Sequence, residues 1–332
     1  MSDPALLARH DAVLLDLDGT VYHGARPIPS AAESIARVRE LGTPVRFVTN
    51  NASKSPGAVA AHLRGLGVAA EAAEVSTSAQ AAARLLRERI APGAAVLVVG
   101  TEALAAEVEA AGLRPVRQAS DDVAAVVQGH SPDTAWADLA EACLRIRAGA
   151  VWVACNADAT LPTERGQLPG NGAMVAALRA ATGREPDVAG KPRAPLFRTA
   201  AESAGARAPL VVGDRLDTDI EGAAAAGLAA LAVLTGVGTP AALLAAEPAQ
   251  RPRYLAADLS ALTGKSGELE IGPRPGWRVR ADGPELTATS DGARDAVDLL
   301  RTLCAAAWRH GTTRVRPGDD HAGAALAELG LA

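Results

Sequence analysis

Residues 11–20 read DAVLLDLDGT, an apolar run that ends in two carboxylates, and this stretch decides the fold. The apolar letters predict a short buried strand over residues 12–17. In an open α/β sheet, ligands bind at the carboxyl ends of the strands, which is where Asp16 would stand. Asp16 and Asp18 project to the same side if the strand geometry persists, and Gly19 permits a sharp exit. The pair predicts a carboxylate site, with a helix cap or an Asx-turn as the alternative.

The segments after this strand alternate between helix and strand signals. Ser30 predicts the N-cap of a helix over residues 30–41, because Glu33 follows three residues later as in a capping box. A strand over 44–50 and a helix over 55–67 come next. This βαβα order is typical of a parallel sheet that is covered by helices.

The same alternation continues along the chain. Further helices are predicted over 78–90, 101–112, 133–148, 173–182 and within 190–205, and further strands over 94–100, 123–129, 150–156 and 208–220. The Pro/Gly-rich segment 157–172 predicts a loop, and 226–238 a last core strand. GKSGELEIGPRPG (264–276) predicts a linker. Beyond it, the order strand, strand, helix, strand, helix predicts a small α+β unit.

Composition excludes several classes of protein. The 332 residues are 48% hydrophobic but only 2% aromatic, which predicts two or three domains with aliphatic cores and no aromatic platform for nucleic acid. A net charge of −5 argues against a nucleic-acid or membrane-surface protein. The cysteines Cys143, Cys155 and Cys304 are odd in number and lack metal-ligand spacing, so we expect reduced thiols in a cytoplasmic protein without signal peptide or membrane span.

Two polar motifs follow other predicted strands. Thr49, Asn50 and Asn51 are small hydroxyl and amide groups at the end of a strand, where they could bind an anion or cap the next helix. Lys191 lies in a GKP loop, although most lysines are simply solvated. Each motif alone is weak.

An acidic loop closes the strand predicted within 208–220. Asp214, Asp217 and Asp219 are clustered in GDRLDTD at the end of this strand, so their charges would repel one another. A hard divalent cation would relieve that repulsion, and oxygen ligands suit Mg²⁺. The alternative is a solvated acidic turn.

The four motifs together resemble the haloacid dehalogenase superfamily of phosphatases. They occur in the family's order as DLDGTVYHG, VTNNASKS, AGKP and VGDRLDTDI, and PTERGQLPGNGAM resembles the family's cap signature. Within the superfamily the chain is most similar to the NagD and p-nitrophenyl phosphatase-like branch, and there to the actinobacterial glycerol-3-phosphate phosphatases. The resemblance covers about residues 10–260.

The resemblance implies a role for each motif. Asp16 would be the nucleophile and Asp18 the general acid/base, while Asp16, the Asp18 backbone carbonyl and Asp214 would hold Mg²⁺. Asp219 would support the metal ligands, and a role for Asp217 is more doubtful. Contacts with the phosphate or the substrate are implied for the following residues: Gly19, Thr49, Asn50, Asn51, Leu161 and Lys191, the last also catalytic.

The resemblance also implies how the domains are arranged. A Rossmann-like, doubly wound core would occupy residues 1–78 and 187–262, with a large α/β cap inserted over 79–186. Residues 264–332 would form the small C-terminal domain, which is similar to part of a GNAT-type acetyltransferase. We expect that domain to be a packing or dimerisation module rather than a second enzyme.

The substrate is predicted only as a class. A small phosphorylated metabolite is expected, glycerol 3-phosphate first, with phosphoglycolate or another sugar phosphate as the alternative. The cap loop 156–171 should contribute to specificity, and His130 is a weak candidate for a cleft residue. Nucleic acid and membranes are not expected partners, and a homodimer is left open. Competing interpretations are a phosphotransferase or a non-catalytic binding protein.

Overall fold

The structure, a computed structural model, describes residues 4–163 and 165–332. The strands are β1 (Val13–Leu15), β2 (Tyr22–His23), β3 (Arg26–Pro27), β4 (Val45–Thr49), β5 (Val75–Thr77), β6 (Ala95–Val99), β7 (Arg114–Val116), β8 (Val123–Gln128), β9 (Val151–Ala154), β10 (Thr160–Thr163), β11 (Gly166–Pro169), β12 (Asp187–Val188), β13 (Leu210–Gly213), β14 (Ala229–Val233), β15 (Tyr254–Ala256), β16 (Trp277–Asp282), β17 (Glu285–Ser290) and β18 (Arg314–Pro317). The predicted α/β class with parallel sheets is confirmed.

Helices connect most of these strands. They are α1 (Ala31–Glu40), α2 (Pro56–Gly65), α3 (Ser78–Arg89), α4 (Glu102–Ala110), α5 (Trp136–Arg147), α6 (Asn171–Thr182), α7 (Ala194–Ser203), α8 (Glu221–Ala226), α9 (Pro240–Leu244), α10 (Ser266–Leu269), α11 (Ala296–His310) and α12 (Asp320–Glu328). Within the described part of the chain, none of them combines the length and apolarity needed to cross a bilayer.

The chain divides into two compact units. The first unit contains Met1–Val45, Leu66–Val68 and Ala204–Ala332, and the second contains Arg46–Gly65 and Ala69–Ser203. The division predicted from the sequence, with a cap over residues 79–186, stays a prediction.

In the first unit, parallel strands pair in the order β15-β14-β13-β1. Val13 lies opposite Leu210 and Leu15 opposite Val212, and all four side chains are fully buried. Strands buried on both faces read as continuous apolar runs, as VLL and LVVG do. Because β1 and β13 are parallel neighbours, the residues that follow them emerge at the same edge.

In the second unit, β4 pairs with β5, and a separate five-stranded parallel sheet has the order β12-β9-β8-β6-β7. Helices α5 and α6 cover that sheet through an aliphatic core that includes Leu97, Val126, Ile146 and Val175. Apart from Trp152, the residues of this core are aliphatic, as the composition predicts.

The C-terminal residues have the predicted order of elements, with β16 antiparallel and β18 parallel to the central β17. Helix α11 packs on β16 and also binds the rest of the first unit. Arg301, only 7% exposed, donates from Nε and Nη2 to the Leu255 carbonyl over 3.0 and 2.6 Å. Trp308 Nε1 donates to the Leu243 carbonyl over 2.9 Å, and the Arg251 guanidinium lies 5.3 Å from the Trp308 ring centroid.

Two predictions about local structure were wrong near chain turns. Ser30 precedes α1 as predicted, but its side chain makes no capping hydrogen bond because its backbone is left-handed, with φ of 67°. Residues 157–172, predicted as a loop, contain the antiparallel pair β10 and β11. Pro162 and Pro169 lie within these exposed strands, and such prolines usually indicate a loop.

Two further predictions were wrong between residues 226 and 276. Strand β14 is not the last core strand, because the three-residue β15 pairs beyond it. The predicted linker is packed: Ser266 and Leu269 of α10 are buried, and the Ser266 N–H donates to the Pro4 carbonyl over 2.9 Å. A three-residue strand and a four-residue helix are too short to leave a periodic pattern.

His10 joins three segments of the first unit. Its ring meets the Tyr254 ring edge-on at 5.9 Å, and its Nδ1 lies 3.2 Å from the Ala208 carbonyl oxygen. Burial lowers the pKa of His10 below its ordinary value of 6.5, and the nearby Arg253 charge adds to this effect.

We predict that His10 makes folding stability depend on pH. As the pH falls through 6.5, the unfolded chain takes up the proton before the folded protein does, so the free energy of unfolding decreases. His10→Asn should therefore show a smaller drop in Tm between about pH 7.5 and about pH 5.5 than the unaltered protein. Thermal melts in the two buffers measure this drop. The exposed His310 offers a control, since His310→Asn should keep the full drop; an equal drop in His10→Asn would contradict the prediction.

Candidate active site

Strand β1 delivers Asp16 to the carboxyl edge of the first unit's sheet. Asp16 is half-buried, and its backbone N–H donates to the Val212 carbonyl over 2.9 Å, which continues the β1–β13 pairing. Leu17 is 2% exposed and Asp18 is exposed, so the alternation of sides extends past the end of the strand. Asp16 and Asp18 therefore project away from the buried Leu17.

The turn after Asp18 depends on Gly19. Its φ of +91° lies in the left-handed region that favours glycine. A Cβ at this position would also lie 2.4 Å from Asp214 Oδ2, which is too close for any side chain. Gly19 thus allows both the sharp exit predicted from the sequence and the approach of the Asp214 carboxylate.

Strand β13 and the segment after it bring two more carboxylates to this edge. Asp214 follows Gly213 directly and is 1% exposed. A π-helical turn over Leu216–Ile220 then returns Asp219, fully buried, towards the strand end, where its Oδ2 accepts the Arg215 N–H over 3.1 Å. A Cβ at Gly213 would lie 2.4 Å from Asp219 Cβ, so this return requires glycine.

Asp16, Asp214 and Asp219 form one carboxylate group. One oxygen of each lies within 4.8 Å of the others. Two like charges at such a distance repel by about 4 kcal/mol at an effective dielectric constant near 20. A divalent cation would offset this repulsion, and an all-oxygen donor set fits a hard ion such as Mg²⁺. The residues present therefore fit a magnesium site, and the Asp219 carboxylate stands beside the other two rather than apart from them.

Asp217 belongs to a different environment. Its carboxylate is more than half exposed and accepts hydrogen bonds from Arg215 Nε and Nη2 over 3.1 and 2.9 Å. The hydrogen bonds from Arg215 lower the pKa of Asp217 below its ordinary value. Asp217 therefore has a cationic partner of its own, and any role of it near the metal ligands stays a prediction.

A loop over residues 235–238 closes around Asp214. The Val237 N–H donates to Asp214 Oδ2 over 2.6 Å. A Cβ at Gly236 would lie 2.0 Å from the same oxygen, and one at Gly238 would lie 2.4 Å from the Asp214 carbonyl oxygen. Sequence reasoning missed this loop, although two glycines just after a buried strand are a signal of close backbone approach.

In the second unit, β4 ends at the Thr49-Asn50-Asn51 motif. The Asn51 N–H donates to Thr49 Oγ1 over 3.1 Å, and Asn51 Oδ1 accepts the N–H groups of Ser53 and Lys54 over 2.8 and 3.0 Å. Asn51 therefore builds the turn that precedes α2, and its predicted contact with the substrate stays a prediction.

The side-chain amide of Asn50 binds both backbone polar groups of Lys191. Asn50 Oδ1 accepts the Lys191 N–H over 2.8 Å, and Asn50 Nδ2 donates to the Lys191 carbonyl over 3.1 Å. A Cβ at Gly190 would lie 2.6 Å from Asn50 Oδ1, so the GKP loop needs glycine for this approach. The structure thus brings two of the sequence motifs together.

The Lys191 side chain is buried, with 4% exposure. Its Nζ donates to the Val48 carbonyl over 3.4 Å and lies 6.0 Å from the Phe197 ring centroid. A buried ammonium needs polar or charged partners, which distinguishes Lys191 from the solvated lysine that was the alternative interpretation.

Sequence reasoning missed three residues that hold Asn50. Asn50 Nδ2 also donates to the Asp158 carboxylate, with 3.2 Å to Oδ2. The Asn50 carbonyl accepts from Ser78 Oγ and Asn156 Nδ2 over 2.6 and 2.7 Å. Asn156 and Asp158 lie two residues apart after β9, and Ser78 begins α3, so all three contacts join residues far from Asn50 in the sequence, where a local pattern carries no signal.

His130 and Leu161 are the two residues of the predicted cap that were considered as substrate contacts. His130 follows β8, and its carbonyl accepts from Ser53 Oγ over 2.7 Å while its Nδ1 lies 3.4 Å from the same hydroxyl. Leu161 lies on β10, half-buried and opposite Leu168 of β11. Substrate contacts for either residue stay a prediction.

Comparisons with known proteins agree with the geometry. A family profile described as haloacid dehalogenase-like hydrolase matches residues 13–114, and a second, described as HAD-hydrolase-like, matches 188–262. A third profile, described as a GCN5-related N-acetyltransferase like domain, matches residues 274–331.

Individual relatives cover most of the chain. The D-glycerol 3-phosphate phosphatase of Mycobacterium tuberculosis is 50% identical over 98% of this chain and 96% of its own length. A crystal structure of glycerol phosphate phosphatase from the same organism, in complex with magnesium, has a TM-score of 0.95 at 52% identity and covers both chains fully. The p-nitrophenyl phosphatase of Archaeoglobus fulgidus has a TM-score of 0.70 at 31% identity, over 76% of this chain and 98% of its own.

The chain therefore belongs to the haloacid dehalogenase-like hydrolases. Within that family its relatives are phosphatases, as the sequence motifs predicted, and the chain is an enzyme of this class.

We predict that Gly236→Ala weakens binding of a divalent cation to the carboxylate group. The new Cβ would collide with Asp214 Oδ2 and displace the carboxylate from the Val237 N–H. We expect the Kd for Mg²⁺ to rise about 10-fold or more, measured by calorimetry without substrate, since each 1.4 kcal/mol corresponds to a factor of 10. Gly272→Ala is the control, because a Cβ there has nothing within 4 Å; equal affinities of both variants would contradict the prediction.

Proposed function

We propose that the protein is a Mg²⁺-dependent phosphatase that hydrolyses glycerol 3-phosphate through an aspartyl-phosphate on Asp16. The observation that carries the proposal is the group of three carboxylates at one sheet edge, Asp16, Asp214 and Asp219. The substrate is supported by 50% identity with a D-glycerol 3-phosphate phosphatase over nearly the whole chain.

The metal would be held by Asp16, the Asp18 backbone carbonyl and Asp214, with Asp219 in support. When bound, Mg²⁺ supplies positive charge that offsets the repulsion between a carboxylate nucleophile and a phosphate dianion. The glycines at positions 19 and 236 leave the Asp214 carboxylate the room that this role needs.

In the first step, a carboxylate oxygen of Asp16 attacks phosphorus while the bond from phosphorus to the glycerol oxygen breaks. The protonated Asp18 transfers its proton to the departing alkoxide, and glycerol leaves. Asp18 suits this role because it stands two residues beyond the nucleophile, on the same side, and is exposed.

In the second step, the Asp18 carboxylate takes a proton from a water molecule that attacks the phosphorus of the aspartyl-phosphate. The bond between phosphorus and the Asp16 oxygen breaks, which releases inorganic phosphate and restores both carboxyl groups to their starting states. One residue thus acts as acid and then as base.

Thr49 and Lys191 would bind the phosphoryl oxygens. A positive charge that is fixed before the reaction stabilises the charge that develops during transfer, without reorganisation of solvent. Lys191 meets this requirement because its side chain is buried and Asn50 holds its peptide at two points. Asn50 would therefore act mainly on the position of Lys191.

The test is phosphate release from metal-free protein, with Mg²⁺ or with EDTA, across glycerol 3-phosphate, phosphoglycolate and sugar phosphates. We expect Mg²⁺-dependent turnover, fastest with glycerol 3-phosphate. Asp16→Asn should abolish it, and Asp18→Asn should lower it by about 10²–10⁴-fold. With p-nitrophenyl phosphate, whose leaving group needs no proton, Asp18→Asn should accumulate a phosphorylated protein that intact mass spectrometry detects, because the base of the second step is missing.

Asp217→Asn is the matched control, because it makes the same change on an exposed carboxylate that pairs with Arg215. It should retain near-normal turnover. Turnover that is unaffected by Asp16→Asn or by EDTA would overturn the mechanism. A faster reaction with another ester would overturn the substrate and leave the mechanism standing. A cytoplasmic location and the homodimer stay predictions from the sequence.

A further inference from the structure

A closed circuit of hydrogen bonds surrounds Asp18 in the first unit. Thr235 Oγ1 donates to the Gly19 carbonyl over 2.7 Å. The Thr235 carbonyl lies 2.7 Å from His23 Nε2, and the Gly24 N–H donates to Asp18 Oδ1 over 3.4 Å. The backbone joins Asp18 to Gly19 and His23 to Gly24, which completes the circuit.

The chemistry of these contacts fixes their direction. A carbonyl oxygen only accepts, so the His23 ring must carry a hydrogen on Nε2. Thr235 is therefore held on two sides, with its hydroxyl bound to one chain segment and its carbonyl to another. The two hydrogen bonds of Thr235 are 2.7 Å long, within the usual range, whereas the contact from the Gly24 N–H to Asp18 is longer at 3.4 Å.

The hairpin of β2 and β3 supplies one side of the circuit. Tyr22 pairs with Pro27 and His23 with Arg26, and Gly24 turns the chain with φ of 57°. The hairpin is two residues long on each side, and a hairpin of that size has little stability of its own. Backbone hydrogen bonds from the Gly19 N–H to the Tyr22 carbonyl and from the Tyr22 N–H to the Leu17 carbonyl, over 2.8 and 3.1 Å, tie the hairpin to the Asp18 turn. The His23 contact with Thr235 adds a long-range support directly beside the Gly24 N–H.

Asp18 needs such a support because its side chain is exposed. An unrestrained carboxyl samples several rotamers, and ordering it has an entropic cost. A general acid must lie within hydrogen-bond reach of the leaving oxygen, and a misplacement of about 1 Å can lower a rate by about 10²-fold.

We propose that Thr235 and His23 are positioning residues that hold the Asp18 carboxyl in place for proton transfer to the leaving group. Thr235 acts on the backbone that follows Asp18, and His23 acts through the Gly24 N–H. This inference rests on the proposed function of Asp18.

The test compares two leaving groups. Glycerol 3-phosphate releases an alkoxide that needs a proton, whereas p-nitrophenyl phosphate releases a phenolate that leaves without one. The ratio of the two kcat/KM values reports the acid function of Asp18, because kcat/KM extends only through the first irreversible step.

Thr235→Val removes the hydroxyl with little change of shape. It should lower kcat/KM for glycerol 3-phosphate by about 10-fold and that for p-nitrophenyl phosphate by no more than about 2-fold. His23→Ala should shift the ratio in the same direction. Thr235→Ser, which keeps the donor, should restore it.

Thr239→Val is the matched control. Thr239 Oγ1 accepts the Ala242 N–H over 3.1 Å at the start of α9, so this change also removes a hydroxyl contact, but one that does not reach Asp18. It should leave the ratio unchanged. Calorimetry with Mg²⁺ alone should give the same Kd for His23→Ala and the unaltered protein, so that a shifted ratio in His23→Ala does not come from damage to the carboxylate group.

An unchanged ratio in Thr235→Val and His23→Ala, beside a shifted ratio in Asp18→Asn, would overturn the inference and leave the proposed function intact. An unchanged ratio in Asp18→Asn would instead overturn the proposed role of Asp18. Equal losses with both substrates in Thr235→Val would show a general structural defect and would also overturn the inference.

Discussion

Electrostatic repulsion among three carboxylates constrains the structure at the carboxyl edge of the first unit's sheet. Asp16, Asp214 and Asp219 each place an oxygen within 4.8 Å of the others, and two of the three are buried. Parallel pairing of β1 and β13 and the π-helical return to Asp219 hold them there. The neighbouring positions 19, 213 and 236 require glycine, because a Cβ there would occupy the space of the carboxylates. The fold thus maintains an arrangement that favours a cation.

The second unit buries a positive charge, the ammonium group of Lys191. Lys191 is 4% exposed, and the Asn50 amide satisfies both polar groups of its peptide. Asp158 and Asn156 hold Asn50 in turn. One asparagine therefore couples the end of β4 to the GKP loop and to the segment after β9. The two asparagines of the motif thus differ in their contacts: Asn51 accepts hydrogen bonds within a turn, while Asn50 holds the backbone of the lysine.

The sequence predicted those features that leave a local pattern. The buried strands that end at Asp16 and Asp214 are apolar runs followed by carboxylates, and the motif order identified the family. It did not predict the strand pair around Pro162 or the three-residue β15, because prolines and short lengths mask the strand signal. The contacts of Asp158 with Asn50 and of Thr235 with Gly19 join residues more than 100 positions apart, so only the tertiary structure shows them.

The C-terminal elements, β16 to β18 with α11 and α12, pack as part of the first unit. Strand β15 is the last in the first unit's strand order, and an isolated antiparallel bridge joins its Tyr254 to Glu270. The backbone groups of an edge strand need such partners. Arg301 of α11 supplies two donors to the Leu255 carbonyl on that strand, and Trp308 anchors the same helix at Leu243. Hydrogen bonds from a charged group contribute about 1.5–3 kcal/mol each when buried, which is a large fraction of a domain's net stability. The predicted linker is itself packed, since Ser266 is buried and its N–H donates to the Pro4 carbonyl, so the C-terminal elements are joined to the sheet by an ordered segment.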